Sequence, residues 1–228
     1  MTKITFVNPA IRGTPRIIYT LRHGELDGNA LGIDDESLKN KPNHLFPLTQ
    51  KGYQQISQSA KYIKENEIIG NSTRLYCSGF LRAQQSMEKV LEEKERDSFK
   101  VSVDSRLDEW WKGIFHSLSK DEVAEHYGIE KAVQEREGWH HYRPPQGQSG
   151  KDVEINLLSF LRDVLDDEIF IVGHGRSLGF LRRLLTNQPV DLNCKYPIPA
   201  NGEIWKFTKE RDYYAFESLF SPEIKEEG

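Results

Sequence analysis

RIIYTLRHGE, residues 16–25, changes character halfway along. Its first six residues are short, apolar and β-branched, the composition of a buried strand. The next four are polar and include a glycine, so a loop begins there. The same transition recurs twice. Arg74–Ser78 (RLYCS) reads as a strand and is followed by Gly79 and Arg82. Glu168–Gly173 (EIFIVG) reads as a strand and is followed by His174 and Gly175. A shorter strand at Val101–Val103 precedes LDEWWKG, residues 107–113.

Between these strands lie helical periods. Thr49 is placed as an N-cap, with Leu48 and Tyr53 as a hydrophobic staple. Tyr53, Ile56, Ala60 and Ile63 share one face; Ala83, Met87 and Val90 share a second. Val153, Leu157, Phe160, Leu161 and Val164 form a third, and Leu178, Leu181 and Leu185 a fourth. Strands alternating with helices predict an α/β fold in three layers, a mostly parallel sheet with helices on both faces. Glu203–Thr208 and Tyr213–Leu219 add two late strands joined by a short turn at Arg211-Asp212.

Two stretches fit no simple element. Gly28–Pro47 is long and irregular, a length that marks functional loops. Trp110–Gln148 is rich in aromatics and reads either as a helical insertion covering a pocket or as a satellite core. The expected organisation is one domain over residues 1–228, with 1–15 as an N-terminal extension and 110–148 as a cap insertion.

Composition narrows the function classes. The net charge of −4 argues against a nucleic-acid binder that relies on bulk attraction to phosphates. Cys77 and Cys194 are too few for a disulfide framework or a cysteine zinc site, and fit a reducing, cytoplasmic compartment. The first residues lack the apolar core of a signal peptide, and no apolar run is long enough to span a membrane. No membrane partner is expected, and a homodimer is compatible with the sequence. Any anionic ligand must be held by a local basic cluster.

That cluster follows from the strands. In open α/β sheets, ligands bind beyond the carboxyl ends of the strands. Arg22 and His23, Arg82, and His174 with Gly175 are therefore delivered to one rim from three strands. Arginines bind phosphate oxygens bidentately and stay charged. A helix starting near Gly175 adds N–H donors. An imidazole among arginines keeps its lone pair, because neighbouring positive charge disfavours protonation. His23 can then attack phosphorus, and His174, if protonated, can bind the transition-state oxygens. A departing alkoxide needs a proton, and either Asp108 or Glu109 could supply it. The other histidines show no metal-ligand spacing, and neither a metal nor a cofactor is expected.

These motifs together resemble the histidine phosphatase superfamily, the phosphoglycerate-mutase-like group, from about Arg16 to Phe207. TLRHGELDGN is similar to RHGES..N, which implies Arg22, His23 and Asn29 in the phosphate site. PLTQKGYQQ is similar to LT..G..QA. CSGFLRAQQS resembles S...RA.QT, which implies Ser78 and Arg82. LDEWWKG resembles L.E...G, which selects Glu109 as acid. PPQGQS is similar to P.GES, VGHGRSL to VSHG..L, which implies His174, and PANGEI to a late N.. strand motif. The resemblance is greatest to the small broad-range acid phosphatases. Two positions depart: Leu26 stands for the serine of RHGES, and Gln148 for the glutamate of GES. The insertion of the cofactor-dependent mutases, with its extra arginines, is not evident after Gly113.

The resemblance implies a metal-independent acid phosphatase. It would hydrolyse phosphomonoesters of small metabolites through a phosphohistidine on His23, with Glu109 and His174 catalytic and Arg22, Asn29, Arg82 and Gly175 binding phosphate. The alternatives are mutase-type phosphoryl transfer and a non-catalytic relative that binds a phosphorylated ligand. GHGRSLG, residues 173–179, has the spacing GxGxxxG rather than GxGxxG and lies too late in the chain for dinucleotide binding.

Overall fold

The computed structural model describes residues 15–26, 42–92, 99–115, 118 and 120–224. In chain order these form β1 (Ile17–Arg22), α1 (Gln50–Glu65), β2 (Arg74–Cys77), α2 (Leu81–Glu92), β3 (Val101–Val103), α3 (Lys120–His126) and α4 (Gly128–His141). Then come α5 (Gly150–Asp163), β4 (Glu168–Gly173), α6 (Gly175–Leu185), β5 (Ile204–Lys209) and β6 (Tyr214–Phe220). The strands make one sheet in the order β3-β2-β4-β1-β5-β6. The first four of that order run parallel, and β5 and β6 join as an antiparallel hairpin at one edge.

Strand β4 shows why the apolar runs are unbroken. Ile169 and Ile171 enter the core on one face, with Leu157, Phe160, Leu161 and Leu181 of α5 and α6. Phe170 and Val172 enter the core on the other, with Ile56, Ile63, Ala83 and Val90 of α1 and α2. A strand alternates its side chains, so one covered by helices on both faces needs apolar residues at every position. The result is the expected α/β fold, with each predicted apolar helix face buried.

The helix starts are set locally. Thr49 caps α1, its hydroxyl accepting from Gly52 N at 3.0 Å, and Leu48 and Tyr53 pack in one cluster. Ser149 caps α5 in a capping box with Asp152. Cys77 and Cys194 are free and buried, and burial pushes both thiols up to about 12.

Residues 110–148 contribute both to the core and to the wall of a cavity. Trp110 is a core residue, edge-on to Phe180 and to Trp139 of α4 at 5.5 and 5.6 Å. Its neighbour Trp111 turns outward to line a cavity. The segment folds back on itself: Gln148 N donates to Trp111 O, and Trp110 Nε1 donates to Gln148 O, both at 2.8 Å. Gly113, at φ +55°, sits where a Cβ would strike the backbone of Pro145 and Gly147. The glycines of LDEWWKG and PPQGQS thus belong to one backbone crossing.

Candidate active site

The strand register assembles the site. Arg22 lies opposite Gly173 in the β1–β4 pair, and His23 N donates to Gly173 O at 3.1 Å. Ser78 N donates to Val172 O at 3.1 Å, which brings the end of β2 to the same rim. His23 and His174 are therefore adjacent in space, their ring centroids 5.0 Å apart and edge-on. Arg82, in the first turn of α2, leans back over that rim. The loop carrying His23 is held against α1. A Cβ on Gly24 would strike the Gly52 backbone, and one on Gly52 would strike Glu25. That close approach accounts for both glycines of RHG and LT..G.

His23 is buried, and its Nδ1 lies 2.6 Å from Gly24 O. A carbonyl only accepts, so the proton sits on Nδ1 and the Nε2 lone pair is left. Arg82 Nε donates to that Nε2 at 3.3 Å. Burial, then Arg82 and Arg22, hold the imidazole well below its ordinary value, so it is neutral. Asn201 Nδ2 donates to His23 O at 2.9 Å and fixes the loop from the far side.

His174 is wholly buried. Its Nε2 is 2.7 Å from Ser78 Oγ, which donates to Asp108 Oδ1 at 2.6 Å. The hydroxyl proton is committed to the carboxylate, so His174 donates through Nε2–H. Its Nδ1 is buried and without a hydrogen-bond partner, as is Arg22 Nε. Burial, then His23, Arg82 and Arg22, lower His174 well below its ordinary value. Burial also pulls the Arg82 guanidinium down to about 10. The rim therefore concentrates positive charge and unsatisfied polar atoms, the inverse of an anionic phosphoryl group.

The other expected residues, Asn29 apart, have definite places. Arg22 Nη1 donates to Pro199 O at 2.7 Å. Its guanidinium lies against Gly175, the first residue of α6, where a Cβ would come within 3.2 Å of the Arg22 Cζ. Glu109 faces the same helix start: Oε1 accepts from Trp110 N at 2.9 Å and Ser177 N at 3.2 Å, and Oε2 from Arg176 N at 3.3 Å. Glu109 is therefore held by the α6 N-terminus, while the neighbouring Trp110 is drawn into the core. Leu26 does not stand in for a phosphate-binding serine; it is buried and bridges Leu48. Asn29 lies outside the described residues, as does most of Gly28–Pro47.

Several contacts were not foreseen. Asn43 accepts from Arg82 Nη1 through its backbone O at 2.8 Å and its Oδ1 at 3.3 Å. Phe80 packs its ring on His174 at 4.9 Å, with the Arg82 guanidinium 4.8 Å from its centroid. Asp108, weighed only as an acid, anchors Ser78 and also accepts from Gly79 N at 2.9 Å. The only advance signals were the irregular loop around Asn43 and the neighbouring carboxylates of LDE. Among the described residues, no group of three or more His, Cys, Asp or Glu could hold a metal ion. No helix among them is long and apolar enough to cross a membrane.

Residues 18–221 match the histidine phosphatase superfamily, branch 1, and the chain belongs to that family. It is 25% identical over 213 residues to a 6-phosphofructo-2-kinase/fructose-2,6-bisphosphatase of Caenorhabditis elegans. That match covers 92% of this chain but 42% of the relative, so the chain spans less than half of that protein's length. It is also 25% identical over 221 residues to a 2,3-bisphosphoglycerate-dependent phosphoglycerate mutase of Parabacteroides distasonis, covering 80% and 84% of the two chains. Among solved structures, the α-ribazole phosphatase of Shigella flexneri superposes with a TM-score of 0.73 at 18% identity, covering 93% of this chain and all of the other. A mycobacterial glucosyl-3-phosphoglycerate phosphatase complexed with VO3 gives 0.66 at 21% identity, covering 91% and 100%. At these identities the structural likeness speaks for the fold.

Proposed function

We propose that this chain is a single-domain phosphomonoesterase that works through a phosphohistidine on His23. The carrying observation is the His23 ring: its Nδ1 is committed to Gly24 O, and its Nε2 lone pair points into a pocket of arginines. Nε2 attacks phosphorus and the ester P–O bond breaks. Glu109, in its acid form, gives its proton to the departing oxygen. The resulting carboxylate then takes a proton from water, whose oxygen attacks phosphorus and breaks the N–P bond. Arg22, Arg82 and His174 stabilise the charge on the equatorial oxygens. Gly175, and Asn29 by its motif, complete the phosphate contacts.

Phosphatase and phosphoglycerate mutase activities both appear among the similar proteins. Hydrolysis is favoured here because the mutase insertion, with its extra arginines, is not evident in the sequence after Gly113. The test is an acid-quench experiment with labelled substrate. Wild type should form an acid-labile, alkali-stable phosphoenzyme, and His23→Ala should form none and hydrolyse nothing. Interconversion of 2- and 3-phosphoglycerate, primed with bisphosphate, should be slow beside phosphate release. Mutase flux above hydrolysis would overturn the reading.

A further inference from the structure

A cavity of about 620 Å³ is lined by Asn43, His44, Phe80, Glu109, Trp111 and Gln148, among others. That volume suits a drug-sized or nucleoside-sized group. It borders the catalytic groups: of its lining residues, Asn43 accepts from Arg82 and Phe80 packs on His174. An alcohol carried on a phosphate held by those groups can extend into it.

Its walls are aromatic and amide. Trp111 is 39% exposed yet held in place, with Nε1 donating to Gln146 O at 2.8 Å. His44 and Phe80 add two further ring faces. A side chain already fixed loses little entropy when a flat ligand stacks on it. Gln148 Oε1 accepts from Trp111 N at 3.4 Å, which leaves its amide N–H groups as donors.

The charge on the walls is just as informative. Asp108 and Glu109 are both lining residues. Arg106 also lines the cavity, but its guanidinium is engaged: Nε and Nη2 on Asp104, Nη1 on Asp163 and Ser159. Among the described residues, no lining arginine or lysine remains to balance a second anion there. A glutamate at position 148 would have placed a third carboxylate in this wall, and glutamine does not.

We infer that the substrates are monophosphate esters of uncharged alcohols bearing a flat ring, of nucleoside size, and that Trp111 is the ring platform. This rests on the phosphatase reading above. Second-anion substrates, such as bisphosphates or phosphoglycerates, meet carboxylates where they need cations. The Trp111 face selects against ringless polyols.

The experiment compares kcat/KM for AMP, benzyl phosphate, glycerol 3-phosphate and 3-phosphoglycerate on the full chain. All are alkyl esters, so the leaving oxygens are of similar basicity and the differences report binding. The two ring esters should lead glycerol phosphate by roughly 5- to 100-fold, the range of base–aromatic stacking, and 3-phosphoglycerate should be last. Trp111→Ala should collapse the ratio of ring to ringless kcat/KM, and Trp111→Phe should restore most of it. A ratio near one in wild type, an unchanged ratio in Trp111→Ala, or 3-phosphoglycerate as best substrate would overturn the inference. If no ester turns over, the phosphatase reading fails by itself. Calorimetric binding of benzylphosphonate against methylphosphonate then decides the ring preference separately, with equal affinities counting against it.

Discussion

Arg82 aims its Nε–H at the Nε2 of His23 across 3.3 Å. The arginine thus occupies the lone pair that the proposed reaction uses. An arriving phosphoryl group must take the guanidinium onto its own oxygens, which frees the imidazole. Arg82 thus adds to burial in keeping the base neutral, and in the proposed mechanism it also clamps the anion.

Arg82→Lys should therefore cost both roles. Lysine keeps a charge but loses the planar fork. The expected loss in kcat/KM is about 10²–10³-fold, the scale of removing one transition-state donor. Phosphate release from p-nitrophenyl phosphate measures it. A loss under about threefold would show that the guanidinium geometry is not used.

Asp108→Asn tests the chain Asp108–Ser78–His174. Asparagine can still accept from Ser78, so His174 stays in place, but the negative charge that favours an imidazolium is gone. Hydrogen bonds to charged groups contribute about 1.5–3 kcal/mol, so kcat/KM should fall roughly 10- to 100-fold. The fall should be equal for aryl and alkyl esters, and the alkaline limb of the pH–rate profile should move to lower pH. An unchanged profile would return Asp108 to a purely structural part.

Glu109→Gln should behave differently. An alkoxide needs a proton in the transition state and a nitrophenolate hardly does, so hydrolysis of alkyl phosphates should drop about 10²–10⁴-fold. Phosphoenzyme formation from p-nitrophenyl phosphate should drop far less. That step has to be followed directly, because dephosphorylation uses the same carboxylate as base. Equal slowing for both substrates would remove Glu109 as the acid.

Activity should survive chelation, because in the proposed mechanism Arg22 and Arg82 supply the positive charge a cation would otherwise bring. Vanadate, which can mimic five-coordinate phosphorus, should inhibit competitively. Loss of activity in EDTA, restored by a divalent ion, would contradict this.

Stability should fall with acid. His23 and His174 are lowered well below 6.5 by burial, then by their charged neighbours. In the unfolded chain they take up protons near 6.5 and in the folded one they do not, so below that pH unfolding is favoured by proton uptake. Their contribution is present in full above the unfolded value and is lost progressively as pH drops from it toward the lowered folded values. The urea midpoint should decline from about pH 8 to about pH 5.5, and less steeply in a His23→Asn/His174→Asn double variant. Parallel slopes would assign the decline to other groups.

Some of this was written into the sequence locally. EIFIVG has no polar break because β4 is covered on both faces, and strands of this kind alternating with helices predicted a mostly parallel sheet. Arg22, His23 and His174 sit at strand ends, and chain direction sends those ends to one rim. Thr49 and the apolar periods of the helices declared themselves because propensity, capping and amphipathicity act within a few residues.

What the sequence left open involves contacts between distant segments. Ser78 reaches Asp108 across 30 residues and His174 across 96, and nothing in any one motif reveals either bond. The choice between Asp108 and Glu109 is of the same kind. Asp108 is extended, so the two neighbours point to different sides. Which one meets Ser78 and which meets α6 depends on how the segment after β3 is docked. That docking is set by the Gly113–Pro145 crossing and by Trp110 packing on Phe180 and Trp139. Local preference supplied two equivalent carboxylates, and only tertiary packing, by burying one tryptophan and exposing the next, gave them different partners.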